Sequence, residues 1–504
     1  MTIGASGATR AEPPPGSQLS ASLEYVARVP GTSMVVEGKF DRARGRDVLI
    51  ITGRFGFKTL DVSDPTKPRV LDTFRPADIL GPNGYWQDED MDVDRRRNLI
   101  IGALDPRHDD RDQVSCPGIG TLPAKTRNPA CRSGFYVISY ADPANLVQVG
   151  DFVDLPAGHT VSCVDKCSYV WAGGPARRDD QAGLGPFTPG GRGDGRPVWV
   201  TDLRNPRKPK VFPEPIDLLR NDGLTDYSHD VDVDAHGLAW VSGRGGVRGY
   251  ATQGRWRDPL TDKMRNARPW DPILVAGGGV EGGPNGVAQP EDFIHNAARP
   301  LNGEIRAAGV PNGNVVLLTE EDFTGPCSES GRIVAADITD SLGGEPAANS
   351  TPANPFRLDA LSAYHPTQDA PDTTGPSAEC SAHYFEISGS TVAAAWYGQG
   401  LRLIDASNAR NLRQVGYYYV TGIDPDTNPS SLAWDVAWRG ELIYLFDLDR
   451  GIEILRLSGG PSMSRFLPTV ESPELRVDPL ASRPVSGLTP GSLVCPFFVS
   501  PGQS

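Results

Sequence analysis

The sequence predicts an all-β fold, a seven-bladed β-propeller that is closed by an N-terminal strand. Three observations lead to this prediction. A strand–turn–strand phrase recurs seven times, another pair of strands precedes most copies, and a segment before the first unit resembles the last strand of a unit. Four strands in each of seven units describe a propeller.

The strand–turn–strand phrase is the clearest part of the repeat. An alternating apolar run leads into a turn that contains Asp or Asn and usually Pro, and a second apolar run follows. Asp and Asn side chains bond the backbone two residues on, and Pro presets φ, so this composition favours a turn. Full copies occupy residues 56–74, 134–152, 197–215 and 400–418, shortened copies 331–344 and 451–457, and a degenerate copy 246–254.

A second strand pair lies upstream, as in residues 91–104, 231–243 and 436–447, where two β-branched or aromatic runs flank a polar break. The seventh unit has no fourth strand after Leu457, whereas residues 22–29 (SLEYVARV) look like one. We therefore expect the N-terminal segment to complete the last blade, which removes exposed strand edges.

The domain organisation follows from this repeat. We expect a flexible N-terminus over residues 1–20, a seven-bladed propeller over residues 21–457, and a Pro- and Ser-rich extension over residues 458–504 that packs on the propeller. The 57 glycines and 46 prolines among the 504 residues are consistent with a fold that has many turns.

The turn phrase Asp61-Val-Ser-Asp-Pro-Thr-Lys-Pro after an apolar strand resembles the LVIVD-repeat family of bacterial β-propellers. The resemblance covers roughly residues 22–457. It implies the propeller fold and, because most members are exported, a secreted or cell-surface protein; it implies no activity.

Charge and cysteine content restrict the function further. The net charge is −14 and no basic stripe with interleaved aromatics is present, which argues against nucleic-acid binding. No apolar run has the length of a membrane span. Residues 1–16 lack the apolar region of a signal peptide, so we expect that such a peptide has been removed from an exported chain.

Seven cysteines are typical of an oxidising compartment. Cys116 and Cys131 flank an insertion, Cys163 and Cys167 flank a hairpin tip, and Cys327 and Cys380 lie in neighbouring loops. We predict a disulfide for each of these three pairs, although Cys495 would be left over and could replace either member of the third. Reduced thiols in a cytosolic protein are the alternative.

Four of the seven histidines stand at the same place in successive units, where each opens the first strand. The first strands line the channel of a propeller, so equivalent positions face one axial level. We predict that His159, His229, His295 and His383 converge there and bind a transition metal. Trp434 holds this position in blade seven, and blade one offers only Ser33 or its neighbours.

Acidic residues near these histidines are candidates for orienting the imidazole N–H groups. They are Glu89, Asp90, Asp230 and Glu386. The alternative is that each histidine is structural and bonds a backbone carbonyl across the channel, and that the acids reflect ordinary strand polarity. The run Glu320-Glu321-Asp322 could bind a cation, but it is interpreted as an acidic strand end.

Two functions of different class are consistent with these residues. The first is an exported metalloenzyme that holds Fe or Cu, less readily Zn, and performs oxidative chemistry on a small organic substrate; the catalytic residues are not assigned. Its four-histidine layout is similar to that of carotenoid cleavage oxygenases and, more loosely, of selenium-binding proteins, without a shared motif. The second is a non-catalytic scaffold that binds protein or glycan through its loops.

Overall fold

A computed structural model of the chain confirms the seven-bladed β-propeller. The structure describes residues 11–76, 89–104, 133–155, 157–174, 198–216, 228–243, 246–259, 261–278, 280–281, 294–321, 331–342, 358–366, 380–424 and 427–458. Each blade is an antiparallel sheet whose first strand is innermost, and we call that first strand the inner strand.

Blades one to three are built from consecutive strands. In blade two, two short strands pair with the outer edge of the third strand. The strands of blade one are Val35–Ala43, Arg46–Gly53, Gly56–Asp61 and Arg69–Phe74. Those of blade two are Met91–Asp94, Leu99–Leu104, Gly134–Ser139, Val147–Gln148 and Val153–Asp154. Those of blade three are Thr160–Val164, Tyr169–Gly173, Trp199–Asp202 and Lys210–Val211.

Blades four and five carry additions to the same pattern. Blade four consists of Asp230–Val233, Leu238–Gly243, Gly246–Ala251 and Ile273–Gly278, with a hairpin of Arg255–Asp258 and Lys263–Asn266 inserted before the last strand. Blade five consists of Ile294–Ala298, Val315–Glu320, Ile333–Asp337 and Leu358–Tyr364, with Val280–Glu281 parallel to the last strand and a short helix at Thr339–Leu342.

Blades six and seven complete the ring. Blade six consists of Ala382–Ser388, Thr391–Trp396, Gly400–Asp405 and Arg413–Val420, with a 3-10 turn at Tyr397–Gln399. Blade seven consists of Ala433–Arg439, Leu442–Asp447 and Gly451–Leu457, and Leu23–Val29 is its fourth strand.

The predicted closure by the N-terminus is confirmed. Leu23–Val29 pairs antiparallel with Gly451–Leu457, from Leu23 opposite Leu457 to Val29 opposite Ile452. Leu23 and Tyr25 pack into the core that blade seven shares with blade six, whereas Val26 and Val29 pack into the core that it shares with blade one. One strand therefore stabilises both interfaces at which the ring closes.

The N-terminus also contributes a strand that the sequence did not predict. Ser17–Leu19, which falls within the segment 1–20 expected to be flexible, pairs with the last strand of blade six as its fifth strand. The extension at 458–504 lies outside the described residues except for Ser458, whose N–H donates to the carbonyl of Ser22.

The blade cores are made of aliphatic and aromatic side chains that pack between neighbouring sheets, as in the cluster of Trp240 with Val316 and Leu318. Buried polar residues concentrate on the inner strands and directly before them, where all four predicted ligands have no exposed surface. The helices of the described residues are too short to cross a membrane.

Candidate metal centre

The four histidines lie next to one another on the propeller axis. The ring centroids are 5.0 Å apart for His159 and His229, 4.5 Å for His229 and His295, and 3.9 Å for His295 and His383. The imidazoles therefore form a continuous arc that is buried from solvent. The arc brings together residues of four blades that are far apart in the sequence.

Local backbone irregularities position two of these four side chains. His295 is the extra residue where the register of the inner strand shifts between Ile294 and Asn296, and His383 lies in the corresponding shift of blade six. Trp434 occupies the same irregularity in blade seven. A bulge re-aims side chains out of the regular alternation. One such irregularity in each of blades five, six and seven brings the rings of His295, His383 and Trp434 together.

A glycine makes room for the first histidine of the arc. Gly174 has a φ of +100°, and a Cβ built on it would lie 2.0 Å from the Cβ of His159. Any larger residue would therefore displace His159 as well as strain the backbone.

Two hydrogen bonds define the tautomers of two imidazoles. Nδ1 of His229 lies 2.9 Å from the carbonyl oxygen of His295, and Nδ1 of His383 lies 2.6 Å from that of Trp434. A carbonyl oxygen only accepts, so in both rings Nδ1 carries the proton. When these rings are neutral, Nε2 is left with its lone pair, which is the form that binds metals.

The distance between two of the imidazole nitrogens fits a hydrogen bond accepted by Nε2 of His229, and it equally fits a shared ion. Nε2 of His159 lies 3.3 Å from Nε2 of His229. Two nitrogens bound to one metal lie about 3.0 to 3.4 Å apart when each is about 2.1 Å from it. In addition, Nε2 of the buried His383 has no hydrogen-bond partner among the described residues.

Burial keeps three of the imidazoles neutral. It lowers the pKa of His229, His295 and His383 well below the ordinary value, and the neighbouring histidines lower the pKa of each further. The hydrogen bonds from Nδ1 oppose the shift without reversing it. Because metals compete with protons for the same lone pairs, neutral rings are ready to coordinate.

A carboxylate completes a compact group that could hold a metal ion. One ligand atom each from His229, His295 and Glu321 lie within 4.8 Å of one another, and no other trio of His, Cys, Asp or Glu in the described ranges does so. Glu321 follows the second strand of blade five and is 5% exposed. Its Oε1 accepts a 2.6 Å hydrogen bond from the Tyr397 hydroxyl, and burial raises its pKa well above the ordinary value.

Aromatic rings enclose the far end of the arc. The His383 ring lies 4.3 Å from Tyr384, 4.4 Å from Trp434 and 4.8 Å from Tyr397, and Tyr384 also contacts His295 at 4.6 Å. These three aromatics form one buried cluster with Val36 and Leu448. The cluster provides an apolar wall of low polarity beside the imidazoles.

The acids predicted to orient the imidazoles take different positions. Glu89 lies beside the arc, with Oε2 3.8 Å from Nε2 of His159. Asp90 and Glu386 instead accept backbone N–H groups of the next inner strand, from Val161 at 2.7 Å and from Trp438 respectively. Asp230 is buried near Asp232, and burial raises its pKa well above the ordinary value.

These acids belong to a pattern that links adjacent inner strands. Glu37 accepts the N–H of Met91 at 2.6 Å, and Asp92 accepts that of Cys163 at 2.8 Å. Glu37 also pairs with Lys39. Blade one therefore contributes a buried ion pair to the channel, which the alignment around Ser33 did not predict.

Glu321 and Tyr397 belong to the site, although the histidine pattern of the sequence predicts neither. Each is the residue that directly follows the second strand of its blade, Val315–Glu320 in blade five and Thr391–Trp396 in blade six. The acidic run that contains Glu321 has the composition of an ordinary strand end, which conceals its position beside the histidines. Aligning the ends of the second strands would have placed both residues beside the histidines.

One predicted disulfide is present in the described residues. Cys163 and Cys167 are bonded across the hairpin tip of blade three, with 4.3 Å between the Cα atoms. Cys380 is also disulfide-bonded, and its partner lies outside the described residues, as do Cys327 and Cys495. The predicted pair of Cys116 and Cys131 lies outside them too.

Comparison with known proteins supports no family assignment. No family model and no curated protein matches the chain. The resemblance to the LVIVD repeat therefore stays a prediction.

Solved structures match at low identity. The chain is similar to the β-propeller domain of Cps50 (Swd1) from Myceliophteria thermophila, with 13% identity, a TM-score of 0.43, and 88% and 100% of the two chains covered. For the WD40 propeller domain of Doa1 the values are 8%, 0.43, 88% and 98%. The extracellular domain of a "putative one component system" of B. thetaiotaomicron matches with 12% identity and a TM-score of 0.45, and the match covers 40% of that chain. At these values the matches carry nothing about the site.

Proposed function

We propose that the protein is a metal-dependent oxidoreductase, with one transition metal ion held on the propeller axis by His229, His295 and Glu321, beside His159 and His383. The observation that carries the proposal is the pair of Nδ1–carbonyl hydrogen bonds, which leaves the Nε2 lone pairs of His229 and His383 inside the buried arc. Oε2 of Glu321, which is in the same blade as His295, supports it because this atom has no hydrogen-bond partner among the described residues.

The donor set favours Fe or Cu before Zn. Two imidazoles and one carboxylate on one side of an ion are the ligand type of non-haem Fe(II) oxygenases, and imidazole-rich sites also suit Cu. Such an ion, when bound, supplies redox chemistry toward dioxygen or a small organic substrate. The chain's own contribution is to hold neutral imidazoles in fixed tautomers and to keep solvent away with Tyr384, Tyr397 and Trp434.

We also propose that the protein works outside the reducing cytosol, in the secreted or cell-surface setting. The Cys163–Cys167 bridge and the bonded state of Cys380 support this, since structural disulfides persist in oxidising compartments.

Metal analysis of the purified full-length chain tests the proposed function. We expect about one equivalent of Fe or Cu after mild purification or reconstitution, measured by mass spectrometry. His229→Ala should lose at least about tenfold in metal affinity, because it removes a ligand. The matched control is His236→Ala, which removes an exposed imidazole from a turn of the same blade.

Two results would contradict the proposal. A wild-type chain that takes up no Fe, Cu, Zn or Ni would leave the non-catalytic scaffold as the better account. Equal metal content in the two histidine variants would show that the bound ion lies elsewhere.

A further inference from the structure

The carboxylate of Glu321 is held on one side only. Its Oε1 accepts the Tyr397 hydroxyl at 2.6 Å, while Oε2 has no hydrogen-bond partner among the described residues. The trio with His229 and His295 brings one carboxylate oxygen to the imidazole nitrogens. A donor on Oε1 fixes the rotation of the carboxylate, so the orientation of Oε2 depends on Tyr397.

Tyr397 is itself firmly placed. It opens the 3-10 turn Tyr397–Gln399 of blade six, and its N–H donates to the carbonyl of Ser381 at 3.3 Å. Its ring packs edge-on against His383 at 4.8 Å and against Trp434 at 5.1 Å. The hydroxyl thus reaches from blade six to a carboxylate of blade five without freedom to follow it elsewhere.

We propose that Tyr397 is a positioning residue that presents Glu321 to the metal as its anionic ligand. This inference rests on the proposed function. The hydrogen bond from the Tyr397 hydroxyl restricts the rotation of the Glu321 carboxylate beside the two imidazoles. The bond also selects which oxygen is offered, as partners of ligands commonly do in metal sites.

The test uses the full chain with Co²⁺ or Cu²⁺ as the probe. Tyr397→Phe removes only the hydroxyl. We expect it to lower the affinity for the probe by about 10- to 100-fold and to shift the Co²⁺ absorption or the Cu²⁺ electron paramagnetic resonance spectrum. Glu321→Gln should give a loss of similar size, since it removes the anionic ligand.

A double-mutant comparison separates positioning from packing. In the Glu321→Gln background, adding Tyr397→Phe should change affinity by less than about threefold, because the group through which Tyr397 acts is already altered. An undiminished loss in that background would mean that Tyr397 acts by packing on His383, and the inference would fall.

The matched control is Tyr140→Phe. The Tyr140 hydroxyl donates to Asp41 and so joins blades two and one as Tyr397 joins blades six and five, but away from the arc. It should affect unfolding and leave metal affinity and spectrum unchanged. A Tyr397→Phe variant that binds and absorbs like wild type would overturn this inference alone, whereas a wild type that binds no metal would overturn the proposed function first.

Discussion

At the scale of single residues, the histidines reconcile two interpretations that the sequence left as alternatives. A structural histidine was expected to bond a backbone carbonyl across the channel, and His229 and His383 do so through Nδ1. That bond does not compete with metal binding, because it leaves Nε2 as the basic nitrogen. The same contact that orders each inner strand against the next also prepares the ligand.

A buried acid near the axis leads to a prediction about pH. Burial raises the pKa of Glu386 to about 7, although the N–H of Trp438 opposes the shift. Between its ordinary value and pH 7, the folded chain keeps a proton on Glu386 that the unfolded chain has released. Its contribution to stability is therefore present at low pH and is lost as pH rises through 7.

Glu386→Gln removes this dependence. The free energy of unfolding of the variant minus that of wild type should increase by up to about 3 kcal/mol between pH 4 and pH 8. Urea unfolding at several pH values measures the difference. Glu441→Gln, at an exposed position in the turn after the inner strand of blade seven, is the control and should show no such trend. A stability difference that stays constant with pH would contradict the prediction.

At the scale of elements, the inner strands were predictable and their irregularities were not. The recurrent position of His159, His229, His295 and His383 required only that the repeat be aligned. The register shift at His295 is invisible in the sequence, since a bulge depends on how the second strand pairs with the inner one. The position of Glu321 was not predictable from the histidine pattern, because this residue directly follows a second strand and the histidines recur on the inner strands.

The closing strand gives the prediction at this scale. Deleting residues 1–29 removes Leu23–Val29 and its buried side chains from both closing interfaces. Burial of one large apolar side chain stabilises the fold by about 1.5–3 kcal/mol. Deleting residues 1–22 removes only Ser17–Leu19 and the chain before and after it. We expect the longer deletion to lower the thermal midpoint sharply or abolish soluble expression, and the shorter one to have a small effect. Similar midpoints for both truncations would show that Leu23–Val29 does not fasten the ring.

At the scale of the whole molecule, the repeat was sufficient to predict the architecture because the strand–turn–strand phrase recurs in all seven units, in full, shortened or degenerate form. The elements that are added to this repeat could not be predicted from it. The hairpin of Arg255–Asp258 with Lys263–Asn266 and the strand Ser17–Leu19 occur once each, so no periodicity marks them. The Glu37–Lys39 pair was hidden for another reason, since charged residues on a strand usually face solvent.

The last prediction concerns the compartment. Cys163 and Cys167 are buried in the core between blades two and three, so they would survive as inert thiols if the chain folded in a reducing compartment.

We expect them bonded to each other in protein recovered from an oxidising compartment, as non-reducing peptide mapping would show by a mass lower by two hydrogens that reduction restores. Cys380 should appear in a second bridge, and Cys327 is its predicted partner. The same digest from cytosolic expression is the control. Free thiols at both Cys163 and Cys167 in exported protein would remove the support for export, while leaving the metal centre, which contains no cysteine, to be judged by its own experiments.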